Sequence, residues 1–152
     1  ARRLEKVKEE KNLLVYRDFA HAPSKLKATL NAVREAYPAH HLVACFELHT
    51  FSSLNEQFLS EYAHSMDAAD DAVVFFSHHA LSMKGLPPLD PSSVKKYFDR
   101  ADVNVIDDKS ALEAAVRKMI SAGSAADSKP VFLLLMSSGT FEGIDWNNVS
   151  SQ

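Results

Sequence analysis

Apolar residues along this chain fall into two alternating rhythms: short unbroken runs, and longer stretches in which they recur every three or four positions. The first rhythm is that of a buried strand and the second that of a helix with one face turned inward. Leu13-Leu14-Val15-Tyr16 opens the series as a strand, and Leu26, Leu30, Val33 and Tyr37 then predict a helix. A strand follows over His41 to Leu48, then a helix from about Ser53 with Leu54, Phe58 and Tyr62 on one face. Ala72 to Phe76 is the next strand. A Pro-rich connection through Gly85-Leu86-Pro87-Pro88 leads on to a short helix from Asp90, with Val94, Tyr97 and Phe98 inward. Val103 to Ile106 predicts a further strand, and Ser110 to Ser121 a helix carrying Leu112, Ala115, Val116, Met119 and Ile120 on its apolar stripe. Gly123 and the polar residues through Lys129 predict an exit loop. Pro130 to Met136 is almost wholly aliphatic, as a parallel strand covered on both faces must be. Ahead of the series, Leu4 and Val7 stand among charges up to Glu10, and a turn at Lys11-Asn12 predicts a hairpin at the sheet edge. The expected fold is α/β and Rossmann-like, a mostly parallel sheet with helices on both faces and an N-terminal edge hairpin.

The 152 residues, 46% of them hydrophobic, suffice for one domain with a real core, and no repeat or low-complexity segment divides them. Residues 1–152 are therefore read as a single domain. A formal net charge of -3 speaks against a nucleic-acid-binding or polybasic membrane surface. No apolar run approaches a bilayer span, so the chain is expected to be cytoplasmic. Cys45, the single cysteine, excludes an intrachain disulfide and lies in an apolar run, where it is expected to be a small buried residue. The chain opens at Ala1 without an initiator methionine, which suggests a piece of a longer protein.

Chemistry concentrates where strands give way to helices. Asp18-Phe19-Ala20-His21-Ala22-Pro23-Ser24 places an acid, an imidazole and a hydroxyl on the first such junction. Pro23 suits the first turn of a helix, Ser24 can cap its free N–H groups, and a helix N-terminus there would face an anion. After the second strand come Glu47, His49, Thr50, Ser52 and Ser53, and after the last come Ser137, Ser138, Gly139, Thr140 and Phe141. In a parallel sheet these loops share the carboxyl edge, where open α/β sheets bind ligands. Singly, such Asp and Ser residues are ordinary caps, and it is their convergence that argues for a site. Only four glycines occur, and neither GxGxxG nor GxxxxGK[ST] is present, so another domain must hold most of the phosphates of any nucleotide. His40-His41 and His78-His79 lack metal-ligand spacing and read as loop histidines. Cys45 and His49 do not read as a nucleophile pair, because Cys45 sits within the apolar run. Phe141 and Trp146 are expected to pack on the sheet.

Arg3 followed by Glu5, with Asp18-x-Ala20-His21-x-Pro23, resembles the opening of the C-terminal domain of the Mur ligases and folylpolyglutamate synthases. These are ATP-dependent ligases that join a carboxylate to an amine. Phe46 to Ser53 looks like the segment after the second parallel strand in muramate ligases. Leu135-Met136-Ser137-Ser138-Gly139-Thr140-Phe141-Glu142-Gly143-Ile144 is similar to the closing segment of the subgroup that attaches murein tripeptide to UDP-N-acetylmuramate. The resemblance implies that Arg3 and Asp18 hold the ribose and adenine region of ATP, that His21 approaches the terminal phosphate as a catalytic residue, and that His49, Ser52, Ser53, Gly139 and Thr140 present the amine-bearing peptide. It further implies an acyl phosphate intermediate, Mg2+ held mainly by a central domain, partners in the chain's own N-terminal and central ligase domains, and no catalysis by the fragment alone. There are departures. Arg17 and Ala22 stand where the subgroup usually has a second acid and a second histidine, and Thr50 and Ser53 replace arginines of the muramate–alanine ligases. The latter change speaks against L-alanine as the amine. Another Mur-type or folylpolyglutamate ligase domain, or a non-catalytic α/β interaction module, are the alternative readings.

Overall fold

The computed structural model describes residues 4–127 and 129–150. β1 (Glu5–Glu10) and β2 (Leu13–Asp18) form the antiparallel edge hairpin. β3 (His41–Leu48), β4 (Asp71–Phe76), β5 (Asn104–Ile106) and β6 (Val131–Met136) join β2 in parallel, and the spatial order is β1-β2-β6-β3-β4-β5. The expected α/β, mostly parallel architecture is the one observed. β6 inserts between β2 and β3, and every one of its residues is buried, which is why this run is nearly pure aliphatic.

α1 (Pro23–Ala36), α2 (His78–Met83) and α3 (Pro91–Phe98) cover one face of the sheet. Leu26, Leu30 and Val33 of α1 meet Phe132, Leu134 and Met136 there, and Tyr62 stacks on Phe98 with ring centroids 5.3 Å apart. α4 (Lys109–Asp127) and the C-terminal segment cover the other face, where Leu112, Val116 and Ile120 pack with Val15, Val43, Cys45 and Leu133. Alternate residues of each strand thus enter opposite cores. Phe141 and Trp146 belong to this second core, and the Lys8 ammonium donates to the carbonyls of Asn147 and Val149, fastening the tail to β1.

Four local expectations need correction. The segment expected to be a helix from Ser53 is a turn followed by a 3-10 helix, Glu56–Tyr62; it buries Leu54, Leu59 and Tyr62 and leaves Phe58 only partly covered. Thr50, Ser53 and Asn55 bond neighbouring backbone groups in that turn, competing with a regular α ladder. Ser24 does not cap α1: Pro23 occupies the first turn, the cap position falls on Ala22, and no side chain bonds there. His78 and His79 are not in a loop but open α2, which Ser77 caps by accepting from the Ala80 N–H at 3.2 Å. α4 continues past Gly123 to Asp127, through the residues expected to form the exit loop.

Gly123 is needed inside that helix for contact, not for flexibility. A Cβ there would lie 2.4 Å from Cδ2 of His41, whose Nε2 is held 2.7 Å from the Asp71 carboxylate and so cannot retreat cheaply. Gly123→Ala is expected to lower stability by about 1–3 kcal/mol despite alanine's better helix propensity. Denaturant titration should show that loss, and the double variant Gly123→Ala/His41→Ala should recover part of it; a stabilised Gly123→Ala would refute the contact argument.

Candidate functional site at the carboxyl edge

The three loops named above do meet. Asp18, Met136 and Phe46 stand in register across β2, β6 and β3, so the segments that follow start at one height on neighbouring strands. Beyond β2 and β3 the chain turns to the face of α1, whereas beyond β6 it turns to the opposite face. Diverging connections of this kind open a crevice at the strand ends.

Asp18 is half-buried, and its Oδ2 accepts from the Thr29 hydroxyl of α1 at 2.9 Å. Its carbonyl accepts from the Ser137 N–H at 3.1 Å, which ties the first loop to the last. The exposed His21 ring has Nδ1 3.0 Å from the Phe19 carbonyl. Tyr62 donates its hydroxyl to the His21 carbonyl, and burial pushes the phenol well above its ordinary range, so it stays a donor. The motif backbone is therefore anchored from the core while the imidazole remains outside.

Glu47 is the hub of the site, although the sequence argument assigned it no role. It is only 2% exposed, and its Oε1 accepts from the Ser137 hydroxyl at 2.6 Å and from the Phe141 N–H at 2.8 Å. Ser137 Oγ accepts in turn from the Gly139 N–H at 2.7 Å. The other carboxylate oxygen, Oε2, lies 3.7 Å from His49 Nδ1, and His49 lies against Gly139, where a Cβ would come within 2.7 Å of the ring. The signal was available in the sequence: an acid within an otherwise apolar strand must be hydrogen-bonded if it is buried. Phe141 and Glu142 are both in the left-handed region, with φ of 53° and 56°, and Glu142 Oε2 accepts from the Ser77 hydroxyl at 3.1 Å.

Next to this cluster, Arg17, Asp18, Phe19, Gly139, Thr140 and Trp146 line part of a cavity of about 150 Å³. Trp146 is buried and its indole N–H has no hydrogen-bond partner. Thr50 and Ser53 bond each other, hydroxyl to hydroxyl at 2.9 Å, and Ser53 is fully buried; these two shape the turn, while Ser52 stays exposed. Arg3 lies outside the described residues. Cys45 is fully buried, and that burial, with the Glu47 charge close by, pushes its thiol far up and out of use as a nucleophile. Among the described residues, no three His, Cys, Asp or Glu side chains gather to hold a metal ion. No described helix is long and apolar enough to cross a membrane.

A mostly parallel sheet with helices on both faces and polar loops gathered at its carboxyl edge is a Rossmann-like α/β domain. The family is specific. Residues 2–139 match the Mur ligase, glutamate ligase domain, and the chain belongs to that family. A UDP-N-acetylmuramate–L-alanine ligase of Chlorobium phaeovibrioides is 32% identical over 133 residues, which is 85% of this chain and 28% of that protein. The chain thus spans little more than a quarter of the length of that relative. A crystallised domain assigned to a UDP-N-acetylmuramate:L-alanyl-gamma-D-glutamyl-meso-diaminopimelate ligase of Haemophilus ducreyi superposes with a TM-score of 0.61 at 25% identity, covering 97% of both chains. A murein peptide ligase of Psychrobacter arcticus shares the fold with a TM-score of 0.68 at 17% identity, over 97% of this chain and 29% of that one.

Removing the Tyr62 hydroxyl tests the anchoring of the motif. Tyr62→Phe should cost about 1 kcal/mol of stability and speed amide hydrogen exchange from His21 to Ser24 more than elsewhere. Unchanged exchange in that segment would show that the tether holds nothing.

Proposed function

We propose that this chain is the C-terminal domain of a three-domain, ATP-dependent, cytoplasmic ligase that attaches murein tripeptide to UDP-N-acetylmuramate. The observation that carries this reading is the closing segment Ser137 to Ile144, folded against Glu47 and His49 beside the Asp18 motif, in a chain that aligns end to end with the Haemophilus ducreyi domain. The cavity at this edge, about 150 Å³, falls below the roughly 300–1,000 Å³ of a site that encloses a drug-sized ligand. That size supports a half-site completed by another domain. Phe19 and Phe51, exposed at the same edge, fit a surface that another domain covers.

In this reading Asp18, with one oxygen already orienting on Thr29, accepts from the ribose hydroxyls of ATP, and Arg3 supplies a guanidinium to the same region. His21, with Nδ1 directed at the Phe19 carbonyl, extends its other nitrogen toward the terminal phosphate. The muramoyl carboxylate takes the terminal phosphoryl group of ATP, releasing ADP; the amine attacks the resulting acyl phosphate, and the tetrahedral intermediate, stabilised by N–H groups and positive charge, loses a proton and expels phosphate. His49, Ser52, Gly139 and Thr140 face the peptide that carries this amine, with Ser53 shaping their turn. Mg2+ belongs with the central domain, and the partners are the preceding domains, UDP-N-acetylmuramate and the tripeptide.

L-alanine is the second reading, favoured by the 32% identical relative. The turn after β3 opposes it: Thr50 and Ser53 bond each other there, so the turn has no guanidinium for a free amino-acid carboxylate. Assays of the full-length protein with L-alanine, glutamate and murein tripeptide should show activity with tripeptide alone, and activity with L-alanine instead would overturn the proposal. In the same enzyme, Asp18→Ala should raise KM for ATP about tenfold or more with a smaller change in kcat. Normal ATP saturation would remove Asp18 from the nucleotide site.

A further inference from the structure

We infer that Glu47 is a positioning residue for His49: its carboxylate keeps the single proton of the neutral imidazole on Nδ1, so that Nε2 is presented at the carboxyl edge as a hydrogen-bond acceptor. This corner of the site then selects an N–H donor of the bound molecule, an ammonium or amide group, and rejects a carboxylate. The inference rests on the ligase reading only for the identity of the molecule that brings the donor.

His49 Nδ1 is buried and has no hydrogen-bond partner among the described residues, and the group facing it is the Glu47 carboxylate, with Oε2 at 3.7 Å. An imidazole in water prefers its proton on Nε2, which here would leave the Nδ1 lone pair facing a buried carboxylate. The two would repel, and neither has bulk water to intervene. A proton on Nδ1 turns that repulsion into attraction, the arrangement by which carboxylates orient histidines in many sites. The His49 side chain is 37% exposed although Nδ1 is buried, and Gly139 lies against Cγ, Cδ2 and Nδ1, so the opposite edge, which carries Nε2, is the part open to solvent. Gly139 keeps the ring there: its backbone forms the wall, with room for a hydrogen but not for a Cβ.

Glu47 is itself held independently of His49. Oε1 is bound by Ser137 and by the Phe141 N–H, which leaves Oε2 directed to the imidazole. Along the same carboxyl edge Asp18 accepts from Thr29 and Glu142 from Ser77, while the Arg17 guanidinium is 2.7 Å from Glu5. A cationic or N–H-bearing group suits such surroundings better than an anion does.

Imidazole ¹⁵N spectra of the 152-residue chain, taken at alkaline pH where the ring is neutral, test the inference directly. His49 is expected mainly as the Nδ1–H tautomer. Glu47→Gln removes the charge and supplies an amide N–H that can donate to Nδ1, so the ratio should invert toward Nε2–H. Gly139→Ala, which displaces the ring and leaves the charge, should move the ratio the same way. An Nε2–H tautomer in the wild type overturns the inference even if Glu47→Gln fails to fold, and an unchanged ratio in folded Glu47→Gln does the same. In the full-length ligase, Glu47→Gln should raise KM for the amine substrate about tenfold while KM for ATP stays within about twofold. A KM for the amine that does not move overturns the selection of an N–H donor. Loss of activity of the wild type on every amine would sink the ligase reading instead, and the tautomer measurement would decide this inference separately.

Discussion

A buried carboxylate without hydrogen bonds is among the costliest groups a small domain can contain, by several kcal/mol, and the carboxyl edge of this protein is organised to avoid that cost. Glu47 enters the interior because β3 is covered on both faces, and its oxygens must then find donors. Oε1 finds two on the segment that follows β6, distant in sequence and adjacent in space, and Oε2 is left facing His49. That requirement draws Ser137 and Phe141 over the end of β3 and imposes left-handed backbone on Phe141 and Glu142. It also drops the Phe141 ring into the core against Trp146, edge to face at 5.5 Å. Core packing and site geometry at this edge are one arrangement.

The sheet order explains why the site forms where it does. β6 is the last strand in the chain, and yet it lies between β2 and β3, so the loop after it arrives between two loops made much earlier. Because α1 and α4 pack on opposite faces, the segments leaving these strands part from one another, and the gap between them is the crevice. The anchors are graded. Tyr62 and Thr29 hold the Asp18 motif from the α1 side, Glu47 holds the closing segment from β3, and the side chains left outside include Phe19, His21, Phe51, Ser52 and Thr140. Those are groups suited to meet something beyond this chain.

Membership of the Mur ligase family and the chain's coverage of about a quarter of the relatives' length bear on the same point. In the proposed ligase reading, an aspartate, an exposed imidazole and a small cavity form one part of a nucleotide site that preceding domains complete. In that reading the edge contributes recognition, with hydrogen-bond acceptors and short polar side chains arranged at the ends of the strands. The turn of Thr50 and Ser53 makes that surface neutral where an arginine would have made it cationic.

Much of this was legible from residues alone. Strand and helix periodicity led to the parallel α/β sheet and the edge hairpin, because burial on one or both faces imposes a pattern that any single sequence displays. The Asp18 motif and the polar residues after His41–Leu48 and Pro130–Met136 pointed to the carboxyl edge for the same reason. Tertiary structure decided the rest. The segment after Ser53 is a turn and a 3-10 helix whose side chains bond the local backbone, and the glycine at 123 answers to His41 lying against α4 rather than to a helix end. The part played by Glu47 was set by partners 90 and 94 residues away. A hydrogen bond between strands adjacent only in the folded sheet has no local periodicity to announce it, so a sequence can place the acid in the strand but not name the groups that satisfy it.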